Sequence, residues 1–175
     1  MPQPAAQDGV AVSRIVVMGP SGSGKSLVGA ALAARLRSHF IDGDDLHPRA
    51  NVAKMAAGTP LTDEDRAPWL DAVAHALVHQ APVVVACSAL RRAYRDRIRA
   101  SCADAWFVEL VVPQTELRER MSRRDHFMPA SLLDSQLATL EPLATDEAGI
   151  RVANDAHLES VVARIAGVRD AQSLR

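Results

Sequence analysis

Short apolar runs alternate along the chain with longer stretches in which apolar residues recur every three or four positions. This is the order produced when strands and helices alternate over a parallel sheet. The short runs at residues 14–18, 39–42, 83–87, 106–111 and 150–153 predict strands. Residues 25–37 bring Leu27, Val28, Ala31, Leu32 and Leu36 to helical spacing, and residues 71–79 set Val73 and Leu77 one turn apart, so both predict amphipathic helices against the sheet. Thr62 followed by Asp63-Glu64-Asp65 has the chemistry of a helix start, a hydroxyl cap with acids in the first turn, while Pro68 leaves the true beginning open. Two further helical stretches, 117–123 and 131–140, flank the polar break Arg123-Arg124-Asp125-His126-Phe127-Met128-Pro129, which is expected to form a mobile lid over about residues 113–140. Leu158, Val161, Val162 and Ile165 predict a last helix over 157–168. The expected organisation is a flexible leader at 1–13, one domain at 14–169 and a loose tail at 170–175.

Composition narrows the class. A chain of 175 residues with 48% hydrophobic residues can bury the core of one domain, and disorder is excluded. With 20 Lys+Arg against 21 Asp+Glu the net charge is -1, which gives no footprint for nucleic acid. No run approaches the roughly 18–20 apolar residues of a membrane span. Two cysteines, Cys87 and Cys102, are too few for a disulfide framework or a four-cysteine zinc site, and a reducing, cytoplasmic setting is expected.

Gly19-Pro20-Ser21-Gly22-Ser23-Gly24-Lys25-Ser26 fits G-x-x-x-x-G-K-[ST] and lies between a predicted strand and a predicted helix, where that pattern cradles phosphate. The glycines let the backbone wrap a phosphate with its N–H groups, and the helix N-terminus adds a favourable dipole. Lys25 neutralises β/γ oxygens and the Ser26 hydroxyl reaches Mg²⁺. Gly19, Ser21, Gly22, Ser23, Gly24, Lys25 and Ser26 are therefore the candidate ATP site. The usual acidic metal partner at the end of an apolar strand is missing after Val85-Ala86, where Cys87-Ser88 follows; the second strand supplies Asp42 instead.

Asp42 and Asp44, separated by one glycine at a strand end, lie where parallel sheets place ligand-handling groups, and strand alternation would point them the same way. Asp42 is expected to help hold hydrated Mg²⁺, and Asp44 to accept a hydrogen bond, and then the proton, from an attacking hydroxyl. The alternative is a solvated acidic turn. His47, Lys54, Arg66, Arg91, Arg92, His126 and Gln136 supply the donors that an acidic polyol would need, although any one of these arginines could simply be solvated. Arg120, Arg123 and Arg124, placed where a lid would close, are candidates for stabilising the transferring phosphoryl group. His75 and His79 have metal-compatible i, i+4 spacing but lack the acid of H-E-x-x-H and a third ligand. Trp69 and Trp106 read as core or rim packing, and Cys87 as a small hydrophobe near the site.

Beyond the phosphate cradle, several ordered stretches stand out: Asp42-Gly43-Asp44-Asp45-Leu46-His47-Pro48, Gly58-Thr59-Pro60-Leu61-Thr62-Asp63-Glu64-Asp65-Arg66, Cys87-Ser88-Ala89-Leu90-Arg91-Arg92, His126-Phe127-Met128 and Leu140-Glu141-Pro142. On these residues the chain resembles, from Arg14 to Val168, the small phosphate-loop gluconokinases, which phosphorylate D-gluconate with ATP to 6-phosphogluconate. The resemblance implies an α/β three-layer fold like that of shikimate and nucleoside monophosphate kinases. Its parts would be a five-stranded parallel sheet with helices on both faces, an acceptor region after the second strand and a helical lid before the last. It also implies ATP and Mg²⁺ as cofactors, a homodimer, and Asp44, Lys54, Arg66, Arg91, His126 and Gln136 on the gluconate side. The family commonly has Gly before the His-Phe pair, where this chain has Asp125, and which lid arginine acts stays open. The rival expectations are a kinase for another small hydroxy acid such as shikimate, and a nucleotide-dependent switch with no acceptor.

Overall fold

The structure, a computed structural model, describes residues 13–123 and 130–173. The leader up to residue 12 and the lid break that holds Arg124 and His126 lie outside the described residues. Strands β1 (Arg14–Met18), β2 (His39–Asp42), β3 (Val83–Ala86), β4 (Trp106–Val111) and β5 (Gly149–Ala153) form one parallel sheet in the order β2-β3-β1-β4-β5. Each expected strand is present, within a residue at its ends.

Strand alternation divides the core in two. Val16 and Met18 face α3 (Asp63–His79) and α4 (Arg92–Ser101), packing with Trp69, Val73, Leu77 and Ile98. Ile15 and Val17 face the other way, toward α1 (Lys25–Arg35) and α7 (Leu158–Ser173), packing with Val28, Leu32, Val161 and Ile165. β1, β3 and β4 are buried on both faces, which is why they read as continuous apolar runs. The remaining helices are α2 (Arg49–Ala56), α5 (Gln114–Ser122) and α6 (Ala130–Thr139).

α2 and α4 were not legible in the hydrophobic pattern. α4 buries only Tyr94, Arg95 and Ile98 out of a mostly charged sequence, and α2 buries only Asn51 and Met55. The expected start at Thr62 is a full capping box. Asp65 N–H donates to Thr62 Oγ1, and Thr62 N–H donates to the Asp65 carboxylate at 2.9 Å. Pro68 lies inside α3, and the helix nonetheless continues to His79 as one element. The final helix also runs further than expected, to Ser173, across residues predicted as a loose tail. Trp106 Nε1–H donates to Gln172 Oε1 at 2.8 Å and secures that last turn.

One buried ion pair ties the chain after α6 to the site. Arg95 and Glu147, with side chains 0% and 1% exposed, form a two-bond pair at 2.7 Å, and Arg95 also donates to the carbonyls of Ala89, Leu90 and Glu141. Burial alone would raise the Glu147 pKa, but hydrogen bonds from Arg95, the Ala144 N–H and Arg99 pull it down to about 2. Its folded value therefore lies below the unfolded one, so this contribution to stability is complete above about pH 4.5 and is lost as pH falls toward about 2. Urea unfolding is expected to show a midpoint that drops between about pH 5 and about pH 2.5; a constant midpoint would contradict the pairing.

Candidate active site

Because every strand runs the same way, the segments leaving β1, β2 and β3 emerge at one edge of the sheet. The segment after β1 is the glycine-rich loop. Gly22 and Gly24 take φ values of 82° and 86°, and Gly24 is the residue that opens α1. Two side chains from outside hold carbonyls of this loop: Arg120 donates to Gly22 O at 3.1 Å, and Asn154 Nδ2–H donates to Ser23 O at 2.8 Å. These contacts fix the loop's shape at the start of α1, where the glycine-rich pattern and the helix N-terminus suit a phosphate.

β2 ends at Asp42, and Gly43–Leu46 coils into one 3-10 turn. Asp42 and Asp44 therefore do not share a strand face, contrary to the alternation expected from sequence. Asp42 Oδ1 accepts from Asp44 N–H at 3.1 Å, while its Oδ2 accepts from Ser26 Oγ–H at 2.7 Å. The pair of hard oxygen ligands expected for Mg²⁺, a hydroxyl and a carboxylate, is thus brought together at the start of α1, a donor set that fits that ion. Asp44 lies over a cavity whose wall also includes Lys25. Gly43 is required between them, since a Cβ there would sit 2.4 Å from Ala86 O, and its own carbonyl accepts from Trp69 Nε1–H at 2.8 Å.

The cavity is lined by Ser21, Lys25, Asp44, His47, Arg66, Trp69, Ser88, Tyr94, Ser135 and Gln136. His47 stacks on Trp69 with ring centroids 4.2 Å apart. Burial, reinforced by nearby Arg66, lowers the His47 pKa to about 4, so the imidazole is neutral at pH 7 and presents no cation to a ligand. Arg66 donates to Leu61 O at 2.5 Å and to Tyr94 Oη at 3.2 Å, and Tyr94 Oη–H donates to Asp63 at 2.5 Å. Burial and that bond to Asp63 raise the Tyr94 phenol above its ordinary value, so it stays protonated. Gln136 Oε1 accepts from Ser21 N–H at 2.7 Å, joining α6 to the phosphate loop.

Of the residues expected around an acceptor, the structure brings Asp44, His47, Arg66 and Gln136 into this cavity wall. Lys54 and Arg91 stand outside it: Lys54 donates to both oxygens of Asp65 at 2.8 Å, and Arg91 pairs with Asp63 at 3.3 Å. Arg92 is likewise turned away, paired with Asp146. Of the lid arginines, Arg120 reaches the phosphate loop, whereas Arg123 is 74% exposed and paired with Glu119. Tyr94, Trp69 and Ser88 are wall residues that sequence reasoning did not assign. Trp69 stands one turn after Arg66, so a shared helix face was the available signal for it; Tyr94 lies on α4, a helix the pattern had missed. A second depression lies across the start of α1, formed by Gly24, Leu27, Arg120, Asn154 and Asp155, and there Leu27 leaves 64% of its surface exposed.

Other candidates resolve plainly. His75 and His79 have ring centroids 4.2 Å apart on the exposed side of α3, and among the described residues no group of three His, Cys, Asp or Glu could hold a metal. Cys87 is fully buried, which pushes its thiol up to about 12 and rules out a thiolate nucleophile.

A sequence model described as AAA domain matches residues 15–143. A gluconokinase of Gluconobacter oxydans (strain 621H) is 49% identical over 154 residues, which cover 85% of this chain and 86% of that protein. The chain belongs to the gluconokinase family. The thermoresistant gluconokinase of Escherichia coli (strain K12), a further relative, is 42% identical over 85% of this chain and 88% of its own. The crystal structure of a gluconokinase from Sinorhizobium meliloti 1021 superposes with a TM-score of 0.84 at 48% identity, covering 93% of this chain and 95% of that one. A shikimate kinase from Aquifex aeolicus shares the fold, with a TM-score of 0.67 at 17% identity over 92% of this chain and 98% of its own.

Proposed function

We propose that this gluconokinase-family chain transfers the γ-phosphoryl group of ATP to the 6-hydroxyl of D-gluconate, giving 6-phospho-D-gluconate and ADP. The observation that carries the reading is that Lys25 of the phosphate loop, Asp44, Arg66 and Tyr94 line one polar cavity. ATP lies with its phosphates along the loop from Gly19 to Ser26 and its base in the second depression, where the exposed Leu27 offers an apolar surface. Lys25 holds the β/γ oxygens. Ser26 and Asp42 would hold Mg²⁺, which when bound neutralises charge on the phosphates.

Gluconate enters with C6 toward Asp44. Its hydroxyl donates to the Asp44 carboxylate, which takes the proton as the oxygen bonds to phosphorus, and the bond from phosphorus to the β,γ-bridging oxygen breaks to release ADP. The carboxylate end of gluconate lies toward Arg66, where Tyr94 and Leu61 O fix the guanidinium plane. Arg120, the lid arginine already at Gly22 O, is the one assigned to the transferring group. The same reading carries a homodimer, on the family resemblance alone, and a cytoplasmic setting, in keeping with two free buried cysteines. Among the described residues no helix is long and apolar enough to cross a membrane.

The test is product identity: ³¹P NMR of a reaction with ATP, Mg²⁺ and D-gluconate is expected to show one new phosphomonoester coupled to the C6 protons. A phosphate on another carbon, or none, would reject the assignment. Arg66→Gln is expected to raise the gluconate KM about tenfold or more with the ATP KM unchanged, since it removes a charged partner of the carboxylate. Lys54→Met is expected to leave the gluconate KM within about twofold, because Lys54 points to Asp65 rather than into the cavity. Initial-rate kinetics on both variants checks this pair of outcomes.

A further inference from the structure

One side chain belongs to both halves of the site. Gln136 is part of the cavity wall that also holds Asp44 and Arg66, and it is bonded directly to Ser21 N–H of the phosphate loop. Since a backbone N–H can only donate, Gln136 must present its oxygen to Ser21, which fixes the direction of its NH₂ as well. The helix that carries Gln136 is also anchored by apolar contacts on two sides. Leu133 packs with Leu117 and Met121 of α5, and Leu132 packs with Met55 and Leu61 on the acceptor side. The Gln136 to Ser21 bond therefore links a loop shaped by two left-handed glycines to a helix seated on the acceptor wall.

We infer that Gln136 is the residue through which nucleotide and acceptor binding are coupled, each strengthening the other. Phosphates that order the glycine-rich loop also hold Ser21 N–H in place, and with it the Gln136 side chain. An acceptor arriving next meets an amide whose rotatable bonds are already fixed and loses less conformational freedom in binding. Linkage makes the effect reciprocal, so gluconate must strengthen nucleotide binding by the same factor. This inference rests on the acceptor reading of the cavity.

The test is calorimetric titration of D-gluconate into the full chain, alone and with a saturating non-hydrolysable ATP analogue and Mg²⁺, followed by the reverse titration. In the unaltered protein the gluconate Kd is expected to fall about fivefold or more when the analogue is present, and the analogue Kd to fall by the same factor with gluconate. Gln136→Met, which keeps the length but loses the hydrogen bond, is expected to bring both ratios to within about twofold of one. Gln136→Asn keeps the amide but shortens its reach, and is expected to do the same. A merely structural role would weaken each ligand alone and leave the ratios as they were. Ratios of one in the unaltered protein, or undiminished ratios in both variants, would overturn the coupling. An unaltered protein that binds the analogue but no gluconate in either titration would instead overturn the acceptor assignment.

Discussion

Asp44→Asn is expected to lower kcat by about a hundredfold or more while the KM values for ATP and gluconate stay within a few-fold of the unaltered enzyme. The argument is geometric before it is electrostatic. Asp44 is held over the cavity by a 3-10 turn whose first residue, Gly43, is packed against Ala86 O and Trp69. The turn is further fixed by Asp42, which accepts from Asp44 N–H while bonded to Ser26. An asparagine fits the same space, so the turn and the metal ligands survive. What is lost is a carboxylate able to orient the 6-hydroxyl and take its proton as phosphoryl transfer proceeds. Initial-rate kinetics, with thermal unfolding as the control for folding, checks the outcome. Near-normal turnover in a folded Asp44→Asn protein would remove the proposed base.

Arg95→Met is expected to destabilise the fold by about 3–5 kcal/mol, the range for breaking a buried pair from one side. The methionine fills much of the volume, but Glu147, with a side chain 1% exposed, keeps only Arg99 and backbone N–H partners. Four carbonyls, from Ala89, Leu90, Glu141 and Pro142, lose a donor at the same time. These belong to the chain after β3, which supplies Ser88 and Leu90 to the cavity, and to the chain just after α6, which carries Gln136. The destabilisation is therefore expected to be accompanied by a raised gluconate KM. Urea unfolding at pH 7 measures the first effect, and a loss under about 1 kcal/mol would show that the pair is not the clamp its geometry describes.

The parts of this architecture legible in the sequence were those whose chemistry is contiguous. The phosphate loop from Gly19 to Ser26 is a single run between a strand and a helix, and Asp42 stands at the end of a strand. The five strands were visible because those at the centre are apolar on both faces. Charged residues were harder to place, since their roles depend on partners distant in sequence. Lys54 was expected to face gluconate, yet Asp65, which caps α3, takes it. His47 lies in the cavity wall, but burial, reinforced by Arg66, makes it neutral, so it offers one N–H rather than a cation. Arg120 and Arg123 each pair with an acid four residues earlier. Between these two described arginines, the docking of α5 through Leu117 and Met121 brings Arg120 to the loop. Tyr94 was missed because α4 is mostly charged and offers few apolar positions from which to read a helix.

The cavity that Asp44 lines is proposed to accept D-gluconate. The most direct measurement is ADP release from ATP and Mg²⁺, with D-gluconate, shikimate, AMP and no acceptor compared at equal concentration. Turnover with gluconate well above the other three is the predicted result. Turnover with shikimate or AMP but not gluconate, or ATP binding with no acceptor-dependent ADP release at all, would contradict it.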